Sequence, residues 1–449
     1  MSEHVDVAVI GMGPGGEVAA SRLLAAGRRV AVIERELIGG ECAYWACIPS
    51  KTVLRPPEAG GAVDRAAGVD GARLDWGAAR DYRDYMARHL DDFDQVAGYT
   101  DRGALVLKGV ARLTGTGRVD VDGQEVTAGH LIVATGSEAV IPPIDGLDSV
   151  TVWTNRQTYT TPELPDRAVI VGGSAVGVET ASFLARFGVH VTLVQRSDRL
   201  LSREEPRVGE LARAALHETG VDVRTGTTPT RARRDGALSL LELDDGTQAG
   251  GDVVILATGR APRTDGLCLE DVGVRLGGHG QVLVDEHCRA ADGIWALGDV
   301  TAIMPFTHVA KYQGRIVADA ILGRPRTAGY AGIPRVVFAD PEIAAVGLTK
   351  VQANQQGLRT TTAEIDLAES LARPSTYEQN PRGHLGLLAD TDRRVLIGAW
   401  AVAPQAGEWI HQASLAIRAD ISLDTLLDQV PQFPTYTEGY LTALEALDL

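Results

Sequence analysis

Val5-Asp6-Val7-Ala8-Val9-Ile10-Gly11-Met12-Gly13-Pro14-Gly15-Gly16 is the stretch that decides the fold of this chain. The run from Val5 to Ile10 is short, rich in β-branched residues and almost continuously apolar, the signature of a strand covered on both faces. Gly11, Gly13 and Gly16 then fall at G-x-G-x-x-G spacing. A helical run from Glu17 to Ala26 ends at Gly27, a C-cap glycine, and a second strand runs from Arg29 to Glu34. Strand, glycine turn, helix and strand make a βαβ opening of a buried parallel sheet. The glycines permit a tight turn and close backbone approach to a pyrophosphate at the helix N-terminus. Glu34 stands 18 residues after Gly16, where a carboxylate can bind a ribose hydroxyl pair. The bland alternative is a structural turn with a solvated glutamate, and the strand–helix–strand context argues against it.

The grammar recurs in mid-chain. Ala168 to Val171 forms a strand, Gly172 to Gly177 a turn, Glu179 to Phe187 a helix, and Val189 to Gln195 a second strand after Gly188. Here Gly172 and Gly177 fit the motif but Ser174 holds the middle position. The strand-end acid is absent, with Gln195-Arg196 in its place. A carboxylate would repel the 2′-phosphate of NADPH and an arginine can pair with it, so NADPH is expected over NADH unless Arg196 is only a solvated surface residue. Each unit is followed by a strand ending in Ala-Thr-Gly, Ala134-Thr135-Gly136 and Ala257-Thr258-Gly259. Two copies imply two dinucleotide sites. Pro142-Pro143 and the segment from Pro162 to Pro165 flank a boundary near 145–165, and the last ~115 residues lack a glycine turn and suggest a separate α+β domain.

The chain has 449 residues, enough for about three domains. Its net charge of −16 argues against nucleic acid as a partner. There is no basic leader before Val5 and no apolar stretch approaching a membrane span, so a cytoplasmic protein with no membrane partner is expected. Cys42, Cys47, Cys268 and Cys288 have neither C-x-x-C nor zinc spacing, and no metal site is expected. Lysine is scarce: Lys51, Lys108, Lys311 and Lys350 are the whole set.

Cys42 and Cys47 lie in Gly39-Gly40-Glu41-Cys42-Ala43-Tyr44-Trp45-Ala46-Cys47-Ile48-Pro49-Ser50-Lys51. In a regular helix residues five apart have Cα atoms roughly 8–9 Å apart, beyond the roughly 7 Å that a disulfide tolerates. The segment must be distorted if the bond forms, and two free buried thiols remain the alternative.

This stretch resembles the redox centre of the class I pyridine nucleotide–disulfide oxidoreductases, whose pattern is G-G-x-C-x-x-x-x-C-x-P-[SK]-K. Ala134-Thr135-Gly136, Ala257-Thr258-Gly259-Arg260-Ala261-Pro262, Ala296-Leu297-Gly298-Asp299-Val300, Thr307-His308-Val309-Ala310, Asp340-Pro341 and Phe433-Pro434-Thr435-Tyr436-Thr437-Glu438 match or nearly match as well, so the resemblance covers essentially the whole chain. It implies an α/β homodimer subunit in four parts: an FAD-binding part (1–148), an NAD(P)-binding domain (149–260), a central domain completing the FAD site (261–333) and a dimerisation domain (334–449). It implies a redox disulfide in which Cys47 faces the flavin and Cys42 faces substrate. Lys51 would sit near flavin N5, paired with Glu179, and Glu438 would belong to the catalytic set. The FAD site would draw on Gly11, Gly13, Gly15, Gly16, Glu34, Gly40, Lys51, Ala111, Ala134, Thr135, Gly136, Gly298, Asp299 and Ala310. The nucleotide site would draw on Gly172, Ser174, Gly177, Gln195, Arg196, Gly259 and Arg260.

Departures from the pattern shape the expected activity. Members that reduce disulfides carry a histidine where this chain has Phe433, and phenylalanine transfers no protons. Ser202-Arg203-Glu204-Glu205-Pro206 is similar to mercuric reductase, yet the chain ends Ala446-Leu447-Asp448-Leu449 without a cysteine pair. His308 and His411 are expected to be core or FAD-side residues, and Cys268 and Cys288 small hydrophobes. Tyr44 and Trp45 either stack a flat substrate such as a quinone or pack in the core. The expected function is FAD-dependent NAD(P)H reduction of a small disulfide, metal or quinone acceptor. The alternatives are transhydrogenase or diaphorase chemistry with bystander cysteines, and a redox sensor or complex subunit with little turnover.

Overall fold

Alternation within the first strand sets two core faces. In the computed structural model, which describes residues 3–448, Val7 and Val9 turn to one side of their sheet, with Leu23, Val32, Ile132 and Ile316. Ala8 and Ile10 turn to the other, with Ile33, Leu131 and Val133. Period-two geometry requires this division. Burying each valine or isoleucine contributes roughly 1.5–3 kcal/mol, so register is strongly specified.

Backbone contacts divide the chain into two units. The first gathers Met1–Ser50, Asp81–Val140 and Gly259–Gly329. Its main sheet runs Arg289–Ala291, Ile294–Ala296, Gln124–Val133, Glu3–Ile10, Val30–Glu34, Leu105–Lys108 in spatial order, with the hairpin Ala111–Gly115 and Arg118–Val121 joined through Gln124–Val133. Glu3–Ile10 lies parallel to both neighbours, Val9 opposite Val32 and Ile132. Helix Pro14–Ala25 packs on helix Thr307–Ile321 so closely that a Cβ at Gly314 would come within 2.5 Å of the Gly15 carbonyl.

The second unit gathers Lys51–Arg80, Ile141–Thr258 and Tyr330–Leu449. Its parallel sheet orders Asp222–Thr225, His190–Gln195, Arg167–Val171, Val253–Leu256 and Val152–Trp153. Its C-terminal part is an antiparallel sheet of Pro334–Val337, Glu342–Gly347, Val395–Ala403, His384–Asp390 and Thr360–Asp366, packed against helices that include His411–Arg418 and Glu438–Glu445. The α/β class with two Rossmann-type sheets, the first a parallel centre with antiparallel edges and the second parallel, and an α+β tail is thus the observed fold.

Both nucleotide-type helices start earlier than the sequence suggests, at Pro14 and Ala175 rather than near Glu17 and Glu179. Proline at the first helical position loses no hydrogen bond, and the first turn is built on Gly15 and Gly16, where the neighbours leave no room for a side chain. Gly27 and Gly188 follow these helices with φ of +76° and +90°, the left-handed conformation of C-cap glycines. Among the described residues no helix is long and apolar enough to cross a membrane.

Candidate functional site

The first glycine turn divides its labour by position. Gly11 has φ +95° and a Cβ there would lie 2.4 Å from the Ala134 carbonyl oxygen; at Gly16 it would lie 2.1 Å from the Gly11 oxygen. These two glycines are demanded by packing. Gly13 caps helix Pro14–Ala25, and a Cβ there would meet nothing within 4 Å. The open face at a helix N-terminus fits the pyrophosphate of a dinucleotide such as FAD. Gly40 backs this turn, since its Cβ would sit 2.8 Å from the Gly13 Cα. Buried Glu34 braces it: one carboxylate oxygen accepts from the Met12 N–H and the other from the Glu36 N–H, each at 2.8 Å.

The second turn repeats this construction. A Cβ at Gly172 would lie 2.3 Å from the Ala257 oxygen, and one at Gly177 1.8 Å from the Gly172 oxygen. Ser174 caps helix Ala175–Arg186 where Gly13 caps the first. The Gln195 side-chain amide oxygen, Oε1, accepts from the Gly173 N–H at 2.9 Å, as a Glu34 carboxylate oxygen does from Met12. Arg196 is exposed and has no hydrogen-bond or ion-pair partner among the described residues.

Asp299 is the second residue of a short 3-10 turn, Gly298–Thr301, and accepts from the Ser137 hydroxyl at 2.6 Å; Ser137 in turn accepts from Arg260 at 2.7 Å. The Gly298 N–H donates to buried Gln313 at 2.7 Å. Thr135 donates to the Arg263 carbonyl at 2.6 Å, and the Gly136 carbonyl accepts from the Arg263 N–H at 3.0 Å. Ala310 crowds Gly15, Ala111 is buried in its hairpin strand, and Gly259 leaves open space at φ +129°.

The two cysteines are brought together by a break in the helix. Cys42 belongs to the short helix Gly40–Tyr44, which stops at Trp45 (φ −133°, ψ −4°). Cys47 begins a new helix, Cys47–Arg65. Both are free thiols, half-buried. One hydroxyl serves both: Thr307 Oγ1 lies 3.1 Å from Cys47 Sγ and 3.4 Å from Cys42 Sγ. Thr307 is itself the first residue of helix Thr307–Ile321, so the positive ends of two long helices meet the sulfurs and favour a thiolate. Two negative sulfurs at such range repel. The hydrogen bond with Cys47 and then burial push the Cys42 thiol far above its usual range, with Thr307 and Lys311 opposing.

One turn after Cys47 on the same helix, Lys51 Nζ donates to Glu179 at 2.8 Å. The other Glu179 oxygen accepts from the Phe338 N–H at 3.0 Å, and the ammonium lies 4.7 Å from the centre of the Phe338 ring. The far end of this helix is held by Arg65, which meets Asp340 in two bonds of 2.9 Å and Glu378 in one of 2.8 Å. Thr307 and Arg65 were not singled out from sequence. Thr307 stood within a quoted motif, while nothing in the sequence links Arg65 to partners roughly 300 residues away.

Some expectations are settled differently. Tyr44 is fully buried and donates to the Ile38 carbonyl at 3.1 Å, so it is a core residue and walls no substrate. Half-buried Trp45 packs beside it, ring centres 5.6 Å apart. His308 and His411 are both exposed, which corrects the core reading; His308 lies flat against Phe306 and His411 opens a surface helix. Glu438 accepts from the Thr435 N–H at 2.8 Å and so holds the turn that presents Phe433, which is 72% exposed. Cys288 is a core residue, and Cys268 is half-buried. Among the described residues no group of three or more His, Cys, Asp or Glu side chains is arranged to hold a metal ion.

Residues 5–314 match the family described as pyridine nucleotide-disulphide oxidoreductase, and residues 333–444 match its dimerisation domain. A mercuric reductase of Streptomyces lividans is 36% identical over 99% of this chain and 95% of its own length. A dihydrolipoyl dehydrogenase of Thermus scotoductus is 32% identical over 98% and 97%. Among solved structures, the HOCl-induced flavoprotein disulfide reductase RclA from Escherichia coli superimposes with a TM-score of 0.88 at 27% identity, covering 98% of this chain and 99% of that one. LpdA from Mycobacterium tuberculosis gives 0.87 at 27%, covering 99% of each.

Proposed function

This chain belongs to the pyridine nucleotide-disulphide oxidoreductase family, an FAD- and NAD(P)H-dependent oxidoreductase, and on that premise we propose that it passes electrons through Cys42 and Cys47 to a thiophilic metal ion. The observation that carries the redox pair is the single Thr307 hydroxyl shared by both sulfurs. What supports a metal acceptor is Phe433. Reducing a small disulfide requires a proton for the departing thiolate, and a phenylalanine has none to give, whereas reducing a metal ion requires none. The resemblance to mercuric reductases points the same way.

FAD, when bound, supplies the hydride-accepting and electron-relaying chemistry between NAD(P)H and the sulfurs. Gly11, Gly13 and Gly16 would receive its pyrophosphate, Glu34 a ribose, Asp299 the ribityl chain, and Lys51, fixed by Glu179, would offer a cation to the reduced ring system. Gly172, Ser174 and Gly177 would receive NAD(P)H, and the unpartnered Arg196 beside an uncharged Gln195 supports NADPH. Two electrons and one proton break the Cys42–Cys47 bond into one thiol and one thiolate. Delivery of both electrons to the acceptor re-forms the bond and releases the proton. The matched dimerisation domain supports a homodimer.

The test is anaerobic reduction of the FAD-loaded protein by NADPH and by NADH, followed by turnover with mercuric and cupric ions, a quinone, lipoamide and glutathione disulfide. A long-wavelength thiolate–flavin band that is lost in Cys47→Ser, with metal turnover lost in Cys42→Ser, supports the reading. If Cys42→Ser turns over every acceptor as well as wild type, the cysteines are bystanders and the reading fails.

A further inference from the structure

Cys42 sits on a helix that cannot stand by itself. Gly40–Tyr44 is five residues long, barely more than one turn, and a single turn fixes many dihedrals for few hydrogen bonds. It follows Gly39 at φ +122° and begins at Gly40 at φ +61°, with no side-chain hydrogen bond capping its start. A bond from the Trp45 N–H to the Glu41 carbonyl, at 2.9 Å, spans Cys42. Tertiary contacts must hold such a turn in place, and two of them flank the thiol. After Cys42, buried Tyr44 donates to the Ile38 carbonyl. Before it stands Glu41, at a position that the G-G-x-C pattern leaves open.

Glu41 reaches two arginines. One carboxylate oxygen lies 3.4 Å from Arg263 and the other 3.8 Å from Arg260. The Glu41, Arg263 and Arg260 side chains are 19%, 16% and 28% exposed, so water screens these contacts only in part. The arginines are rigidly mounted. Strand Arg260–Pro262 pairs antiparallel with Ser137–Ala139, the Arg263 N–H donates to the Gly136 carbonyl, and the Arg263 carbonyl accepts from Thr135. Arg260 also donates to Ser137, whose hydroxyl holds Asp299. Arg263 is shared with Glu138 at 3.4 Å and Glu36 at 3.8 Å. All these residues belong to the first unit. Two guanidinium groups meet the Glu41 charge, so what Glu41 brings to Cys42 is place rather than field.

We propose that Glu41 is a positioning residue for the redox pair: held by Arg263 and Arg260, it fixes the short helix so that Cys42 stays beside the Thr307 hydroxyl that also meets Cys47, and it thereby sets how readily the Cys42–Cys47 bond forms. This rests on the reading of Cys42 and Cys47 as a redox pair. In the step concerned, one thiol and one thiolate lose two electrons and one proton as the S–S bond forms, the electrons passing to the acceptor and the proton to solvent. Glu41 touches neither acceptor nor sulfur and acts only through the placement of Cys42.

The experiment equilibrates the FAD-loaded protein anaerobically with mixtures of reduced and oxidised dithiothreitol, quenches with acid, labels free thiols with a maleimide and measures labelled Cys42 by peptide mass. Glu41→Ala should lower the equilibrium constant for disulfide formation by roughly 3- to 10-fold, the worth of one partly screened charge-assisted contact. Glu41→Gln keeps an oxygen for Arg263 and should stay within about twofold of wild type. Arg263→Met should match Glu41→Ala, and the double variant should be no worse than either single, because both act through one contact. Glu138→Ala removes a different partner of Arg263 and should behave as wild type. A general loss of stability would appear in urea denaturation without ordering the variants in this way. If Glu41→Ala and Arg263→Met both leave the equilibrium at its wild-type value, the proposal is overturned while the redox pair stands. Equal shifts in Glu41→Ala and Glu41→Gln would make the carboxylate charge the cause and overturn it as well. If wild type forms no Cys42–Cys47 bond in any mixture, the redox-pair reading falls and this inference falls with it.

Discussion

Replacing Gly13 by alanine separates the packing role of the glycine turn from its binding role. Gly13 has φ −71° and ψ −178°, a conformation open to any residue, and a Cβ built there touches nothing within 4 Å. Two terms act on folding. Alanine restricts the unfolded chain, which stabilises by about 0.4–1 kcal/mol. Alanine is also a poorer N-cap than glycine, which costs a comparable amount. The terms oppose, and the net change is expected to be under about 1 kcal/mol. Binding behaves differently. A methyl group on the one open face of the turn obstructs the approach of a pyrophosphate, an overpacking cost of about 1–3 kcal/mol, or roughly 5- to 150-fold in the Kd for FAD. Gly16→Ala is the converse control, because its Cβ would lie 2.1 Å from the Gly11 oxygen and the helix start would have to shift. Urea denaturation of the apoprotein reads stability, and quenching of FAD fluorescence on titration reads affinity. A Gly13→Ala protein that binds FAD as tightly as wild type, or whose apo form loses several kcal/mol, refutes the reasoning.

Two further outcomes are expected. Lys51→Met strands the buried Glu179 carboxylate on the Phe338 N–H alone and should destabilise by about 1–3 kcal/mol, towards the lower end because the Lys51 side chain is 36% exposed; Lys51→Met/Glu179→Gln should recover most of that loss in denaturant titrations, and a double variant no better than the single would show that the pair is not its source. Burial raises the Glu17 carboxyl above its usual value, against the pull of Arg88, Lys311 and Arg102. The folded state therefore binds the proton more tightly than the unfolded chain, and stability falls as pH rises from about 4.3 upward; Glu17→Gln should raise the Tm at neutral pH, with the gain fading below about pH 4, and a gain independent of pH would mean that the carboxylate charge is not its cause.

What was legible in the sequence was local. Both strand–turn–helix units could be read because apolar runs and glycines signal within a dozen residues, and only the helix starts were misplaced, where the motif overlaps the first helical turn. The break between Cys42 and Cys47 was legible too, since no regular helix brings residues five apart into bonding range. Contacts across the fold were not legible from spacing. Lys51 and Glu179 are separated by 128 positions and were linked only through the family pattern, and Arg65 reaches Asp340 across 275. Tyr44 misled for another reason: an aromatic ring beside a redox pair suits either a substrate wall or a core, and only burial separates the two.

Glu34 and Gln195 show where sequence and structure inform each other. Each places a side-chain oxygen on the N–H of the residue after the first glycine of its turn, Met12 in one case and Gly173 in the other. An amide oxygen makes that bond as a carboxylate does, so the turn does not require an acid at either place. The difference in charge is then free to answer to the ligand. A carboxylate suits a ribose diol and repels a phosphate, whereas a neutral amide followed by an unpartnered arginine tolerates one. The absent acid, which from sequence alone was a missing motif letter, becomes in the folded chain a preserved hydrogen bond from which only the charge has been removed, and a change confined to charge at a nucleotide turn bears on which nucleotide is accepted rather than on how the turn is built.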